Sequence, residues 1–395
     1  MRKSIRRVSI AAVLLLLLLS CVQAVRALCD EDEDSVYLPT YKEPVTVSTV
    51  SRQSLTPLYS FEIPEERGAV SAASEYLALA WQGAVKVYSL KTGNEVLSAA
   101  DRAPVKDLGS DCRNVRCSLS PLGSYCAVSF SSSKEVAVYD LKTGGCAARL
   151  PVADATAVTW SDMGDVLLTV SGEMILQIWK APGWNELSRY DLVAEKRAEH
   201  GRDFDLNMIH MMPDGNTVYF NVQWGRGSGW LFGLDCRSGK IHQLDSYGYS
   251  EPGVLSACFS AVSQYLCRTQ FYPPGEGSID IGTVVKYGPS ELKPIPLFHA
   301  FGMYATSSMD SMGTYLAYSY SAFERRYRTY EKVLELLQLR DNRAYRIPLG
   351  EHEYIGSLHF SWYRSLLIVD WGDIGTAKRS VQVYDPRRIE SMKAD

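Results

Sequence analysis

Apolar and polar residues alternate along most of this 395-residue chain, and short turn-forming clusters interrupt the alternation at a regular interval. Residues 118–130 (SLSPLGSYCAVSF), 160–170 (WSDMGDVLLTV), 210–222 (HMMPDGNTVYFNV) and 308–320 (SMDSMGTYLAYSY) share one pattern. Each reads as a strand, a tight turn with glycine, then a more apolar strand. Weaker copies occupy 71–81, 259–269 and 360–370. Their turn residues align at Ser74, Gly123, Gly164, Gly215, Ser263, Gly313 and Arg364, spaced 41 to 51 residues apart. A second alternating element follows each copy, at 85–97, 136–150, 175–187, 230–244, 283–297, 333–349 and 381–389. Thr-Gly or Ser-Gly steps inside several of these elements mark hairpin turns. Alternation with period two sends successive side chains to opposite faces of a strand, so each repeat predicts four antiparallel strands, a to d. A unit this small cannot bury a core alone; the units must stack.

Four-stranded units repeated radially are the blades of a β-propeller. The expected fold is therefore all-β, a seven-bladed β-propeller over residues 56–391, with nothing left for a second domain. The copy at 118–150, with Ser120-Pro121-Leu122-Gly123 and Val138-Tyr139-Asp140-Leu141-Lys142-Thr143-Gly144, resembles a WD-repeat blade. The Gly-His pair and Asp network of true WD repeats are absent, and lactonase-like and quinoprotein propellers share the degenerate pattern. The resemblance thus implies a fold rather than a chemistry. The last unit lacks an outer strand, whereas the alternating segment 57–64 has no partner in the first unit. Segment 57–64 is expected to supply strand d of the last blade, closing the ring and leaving no open sheet edge.

Antiparallel order puts the a–b and c–d turns on one face of such a disc, and the b–c loops and d–a connections on the other. The first set is short in nearly every copy. The second holds long connections at 190–207 (d–a) and at 223–228, 270–282, 321–332 and 372–379 (b–c), which predicts a recognition face. Trp224, Arg226, Trp230, Tyr272, Phe323, Arg325, Arg326, Tyr327 and Trp371 lie in or beside these loops. Aromatic and arginine side chains are enriched at binding hot spots, so these nine are the candidate partner-binding residues; packing of the loops onto the rim is the alternative. Catalytic motifs are missing: there is no Gly-x-Ser-x-Gly elbow, and His352-Glu353 lacks the second histidine of a zinc-protease helix. Glu199, His200, Asp203 and Asp205 could ligate a divalent ion, or could flank a short helix over about 193–200. Neither cofactor nor catalytic activity is predicted, and no metal site is assigned. The strand cysteines allow disulfides or buried thiols, with Cys117 and Cys126 expected to face each other across strands a and b.

Charge and the N-terminus add location. A net charge of −4 leaves no cationic excess for nucleic acid. Residues 1–7 carry four positive charges and 8–19 are apolar, too short a run to span a bilayer but suited to an export signal. The run ends in Leu18-Leu19-Ser20-Cys21, which resembles the lipobox of bacterial lipoproteins; an ordinary signal cut after Ala24 or Ala27 is the alternative. The resemblance implies a signal peptide at 1–20 and a lipid (diacylglycerol, palmitate) on Cys21. Residues 21–55, with the acidic run Asp30-Glu31-Asp32-Glu33-Asp34, are expected to be a flexible tether. Val22 after the lipid cysteine, by the same resemblance, implies outer-membrane sorting. The expected protein is a monomeric, membrane-anchored envelope scaffold that binds another envelope protein. A small-ligand or hydrolytic propeller using the central channel is the alternative.

Overall fold

The computed structural model describes residues 40–41, 46–63, 68–100 (except 82), 115–130, 133–201, 204–212, 215–224, 228–247, 253–259, 265–272, 276–284, 294–324, 329–361 (except 342), 364–373 and 378–391. The signal segment, Cys21, Arg226, Arg325, Arg326 and Tyr327 lie outside the described residues.

The alternating segments form strands that pair into antiparallel sheets, each entered from the preceding one along the chain. Blades 1 to 4 are four-stranded and span residues 69–100, 116–150, 157–191 and 204–247. The closing blade consists of Glu353–Phe360, Leu367–Asp373, Lys378–Tyr384 and, as outer strand, Tyr59–Ile63. Tyr59–Ile63 pairs antiparallel with the strand Lys378–Tyr384, so the ring is sealed by the N-terminal segment as its alternation suggested.

The ring nevertheless has six blades, not seven. The fifth and sixth repeats merge into one nine-stranded sheet through a single strand, Pro294–Met309. Its first part pairs with Glu276–Val284 and its second with Tyr315–Glu324. Between them lies Phe298-His299-Ala300-Phe301-Gly302-Met303, an aromatic-rich stretch without proline, Asn or Asp. Such a stretch favours continued extension over a turn, so strand d of one repeat runs on as strand a of the next.

The N-terminal segment also departs from expectation. Thr46–Thr49 is not tether: it adds to the wide sheet, parallel to Arg343–Pro348, and the Val50 amide continues the pairing to the Arg346 carbonyl. Val50 and Leu55 are buried in the cluster shared by the wide sheet and the closing blade. Two exposed edge groups are thereby satisfied at once, the sheet's and the segment's own.

Packing is distributed between neighbouring blades. Separate apolar clusters fill the gaps between blades 1 and 2, 2 and 3, 3 and 4, and between the closing blade and blade 1. One device recurs at the a–b turns. Ser120, Ser161, Asp310 and Ser361 end strand a, and each accepts hydrogen bonds from the amides that begin strand b, as in Tyr125 N–H to Ser120 Oγ at 2.9 Å. The turn residue adopts positive φ at Ser74, Gly123, Gly164, Gly215 and Gly313. In the closing blade it is Ser365, not the aligned Arg364, because the turn bond there runs from Ser365 N–H to the Ser361 carbonyl.

Candidate functional site

The connection between blades 3 and 4 carries helix α1, Ala194–His200. Its sequence, AEKRAEH, is made of strong helix formers up to the final histidine, with Glu195 in the first turn and Arg197 in the last, where the helix dipole favours each charge. Arg197 fixes it to the blade by bonding Asp191 at 2.8 Å and the Glu173 carbonyl at 2.7 Å. α1 covers the b–c hairpin of blade 4. The His200 ring lies 4.7 Å from Trp224 and 5.1 Å from Trp230, and Lys196 Nζ sits 5.2 Å over the Trp230 ring. Glu199 reaches Lys196 Nζ at 3.6 Å and His200 Nε2 at 3.5 Å. Trp224 stays 36% exposed, so the cluster offers solvent an indole edge beside an imidazole and an ammonium.

The other candidates fall differently. Trp230 and Trp371 are buried, at 8% and 4% exposure, and pack in inter-blade clusters. They hold the scaffold and offer no surface to a partner. Tyr272 and Phe323 lie on strands, in hairpins whose pairing continues to Tyr272↔Glu276 and Glu324↔Thr329. The segments expected as long loops are thus mostly extended hairpins; the same holds for Trp224↔Ser228 and Asp373↔Lys378. Loop and hairpin share a polar-apolar mix, but inter-strand bonds make the latter stiff.

Among the described residues no three His, Cys, Asp or Glu side chains are placed to hold a metal, and Asp203 lies outside them. Cys117, Cys126, Cys146 and Cys236 form no disulfide. Cys117 pairs in register with Val128 and Cys126 with Leu119, so the two do not face each other directly. Burial pushes the Cys117 thiol up to about 12, and Cys126 up as well, which leaves both unreactive as thiolates.

The closing blade holds a polar chain that resembles catalytic machinery only in composition. His359 Nε2 lies 3.2 Å from Ser357 Oγ, whose hydroxyl donates to Asp370 Oδ2 at 3.4 Å. Asp370 is already engaged by both Arg379 Nε, at 2.7 Å, and Nη2. A nucleophile needs its base oriented by the acid, whereas here the carboxylate is neutralised by a guanidinium and does not touch the imidazole.

One set of surface residues escaped the sequence reading. Leu122, Met163 and Met312 occupy the same position, just before the glycine, of the a–b turns in blades 2, 3 and the wide sheet, and are 54%, 66% and 45% exposed. The Gly123, Gly164 and Gly313 amides bond back three residues, so this is the third position of each β-turn, where small polar residues are usual. The signal was legible as the repeated Leu/Met before glycine in SPLG, SDMG and DSMG.

No protein-family model matches the chain, and no curated protein matches it. Among solved structures it is similar to the β-propeller domain of Cps50 (Swd1) from Myceliophteria thermophila. The two are 14% identical with a TM-score of 0.56 over 82% of this chain and 99% of that one. The likeness defines the fold class, a β-propeller, and nothing narrower.

Proposed function

We propose that the protein is a membrane-anchored recognition scaffold of the cell envelope, acting by binding rather than by catalysis. The observation that carries the reading is the set of apolar turn tips. Three blades present Leu122, Met163 and Met312 at equivalent sites of one face, where exposure gains nothing for folding. Flexible, polarizable methionines adapt to a partner surface, and tips on a stiff ring hold their spacing. On the other face Trp224, with His200 and Lys196, is the part of the expected aromatic set that reaches solvent. Arg226, Tyr272, Phe323, Arg325, Arg326 and Tyr327 complete that surface in the proposal. Anchoring rests on the lipobox-like Leu18-Leu19-Ser20-Cys21.

In-cell crosslinking of the wild type and of Leu122→Ser/Met163→Ser/Met312→Ser tests the binding half. The triple variant should lose the captured envelope protein while melting at the same temperature; an unchanged capture would overturn the turn-tip reading. Cys21→Ala should move the protein from the detergent-extracted to the soluble fraction, and continued membrane partitioning would overturn the anchor.

A further inference from the structure

Where the N-terminal strand seals the ring, a cavity of about 430 Å³ opens on the a–b/c–d face. Four segments from distant parts of the chain meet there. These are the start of the sealing strand (Leu58, Tyr59), the c–d turn of blade 1 (Leu90, Lys91), the a–b turn of the closing blade (Arg364, Leu366) and the segment after its third strand (Asp385, Arg387, Arg388). Leu90 and Leu366 are buried and form an apolar base. The Tyr59 hydroxyl donates to the Lys91 carbonyl at 3.0 Å, which sets the lysine-bearing turn against the sealing strand.

The rim is unbalanced in charge. Four cations line it and one carboxylate, Asp385, opposes them. Asp385 is spent on Arg387, with two bonds of 2.9 Å, and Arg364 reaches outward to Glu75 at 2.9 Å. Lys91 and Arg388 have no carboxylate partner among the described residues. Two uncompensated cations on the rim above an apolar base suit an anion, and a guanidinium fork suits the oxygens of phosphate. The volume is that of a small-molecule site.

We propose that this seam cavity is a binding site for a phosphate monoester carried on an apolar body, the phosphate held by Lys91 and Arg388 and the body resting on Leu90 and Leu366. The site is distinct from the turn tips and from the α1 cluster, and its ligand would clamp the two ends of the ring together.

Calorimetric titration of the full chain with phenyl phosphate, and separately with inorganic phosphate, tests it. Phenyl phosphate should bind more tightly than inorganic phosphate, and its affinity should weaken as salt rises. Lys91→Gln/Arg388→Gln should lower the affinity at least tenfold without changing the melting temperature. Vesicles of phosphatidylcholine with and without phosphatidic acid separate the sources. Retention by the phosphatidic acid vesicles that is lost in the double variant supports a lipid headgroup, and binding of phenyl phosphate alone supports a soluble ester. No heat with phenyl phosphate at about 10 mM, or equal affinity in the double variant, would overturn the proposal.

Discussion

Arg379→Met in the closing blade breaks a buried ion pair whose loss has a calculable size. The Asp370 carboxylate is 0% exposed and Arg379 is 12% exposed, and the guanidinium binds both carboxylate oxygens across adjacent strands. Donating to the Asp370 carboxylate also raises the Arg379 pKa, so the guanidinium stays charged throughout. Methionine keeps the apolar stem of the side chain and removes only the fork, so a fully buried carboxylate is left with the Ser357 hydroxyl as remaining donor. Removing one partner of a buried pair costs about 3–5 kcal/mol, mostly the desolvation of the survivor. Asp370→Leu/Arg379→Met removes both charges, and should recover most of that loss because neither side then has a charge to solvate. Urea denaturation at neutral pH measures both, with the midpoint moving and the slope unchanged. A loss under about 1 kcal/mol in Arg379→Met, or a double variant as unstable as the single one, would refute the argument that desolvation dominates here.

Two further outcomes follow from burial. Leu55→Ala should cost about 2–5 kcal/mol in the same denaturation assay, as for any buried leucine, whereas a tether position would cost under about 0.5 kcal/mol. A loss that small would place residues 46–55 back in the tether. The second outcome concerns pH. Burial lowers the pKa of both His359 and His210, more than the nearby carboxylates Asp370 and Asp162 raise them. The unfolded chain then binds more protons than the folded one just below the ordinary histidine value of about 6.5. Stability is full above that value and is lost as pH falls through it towards the folded pKa values. Melting temperature should drop between about pH 7.5 and 5.5, and His359→Gln/His210→Gln should flatten the drop; an equal slope in the variant would sink the assignment.

Strand placement was legible because alternation is a local property of the backbone. The sealing strand Tyr59–Ile63 could be read from its unmatched alternation, and α1 from its helix-forming composition. The merger of two repeats was not legible. It turns on whether residues 298–303 bend, and the choice depends on which neighbours claim the two halves of Pro294–Met309. Trp230 and Trp371 were misplaced for a related reason. Both look like loop aromatics by proximity to glycine, but strand parity aims them into the inter-blade gaps. Conversely, Leu122, Met163 and Met312 pass for core residues by apolarity alone, and only their repeated place before the turn glycine marks them as exposed.

Thr46–Thr49 lies upstream of the sealing strand and pairs with a different sheet. Mechanical load applied to the chain before residue 40 therefore meets the pairing of Thr40–Tyr41 with the same wide sheet first, and that parallel pairing next. Tyr59–Ile63 feels no pull until Thr46–Thr49, the Val50 amide bond to Arg346 and the buried Val50 and Leu55 side chains have let go. The short added strand works as a strain relief, like the knot in a lamp cord, and keeps a pull on the upstream chain from unzipping the ring.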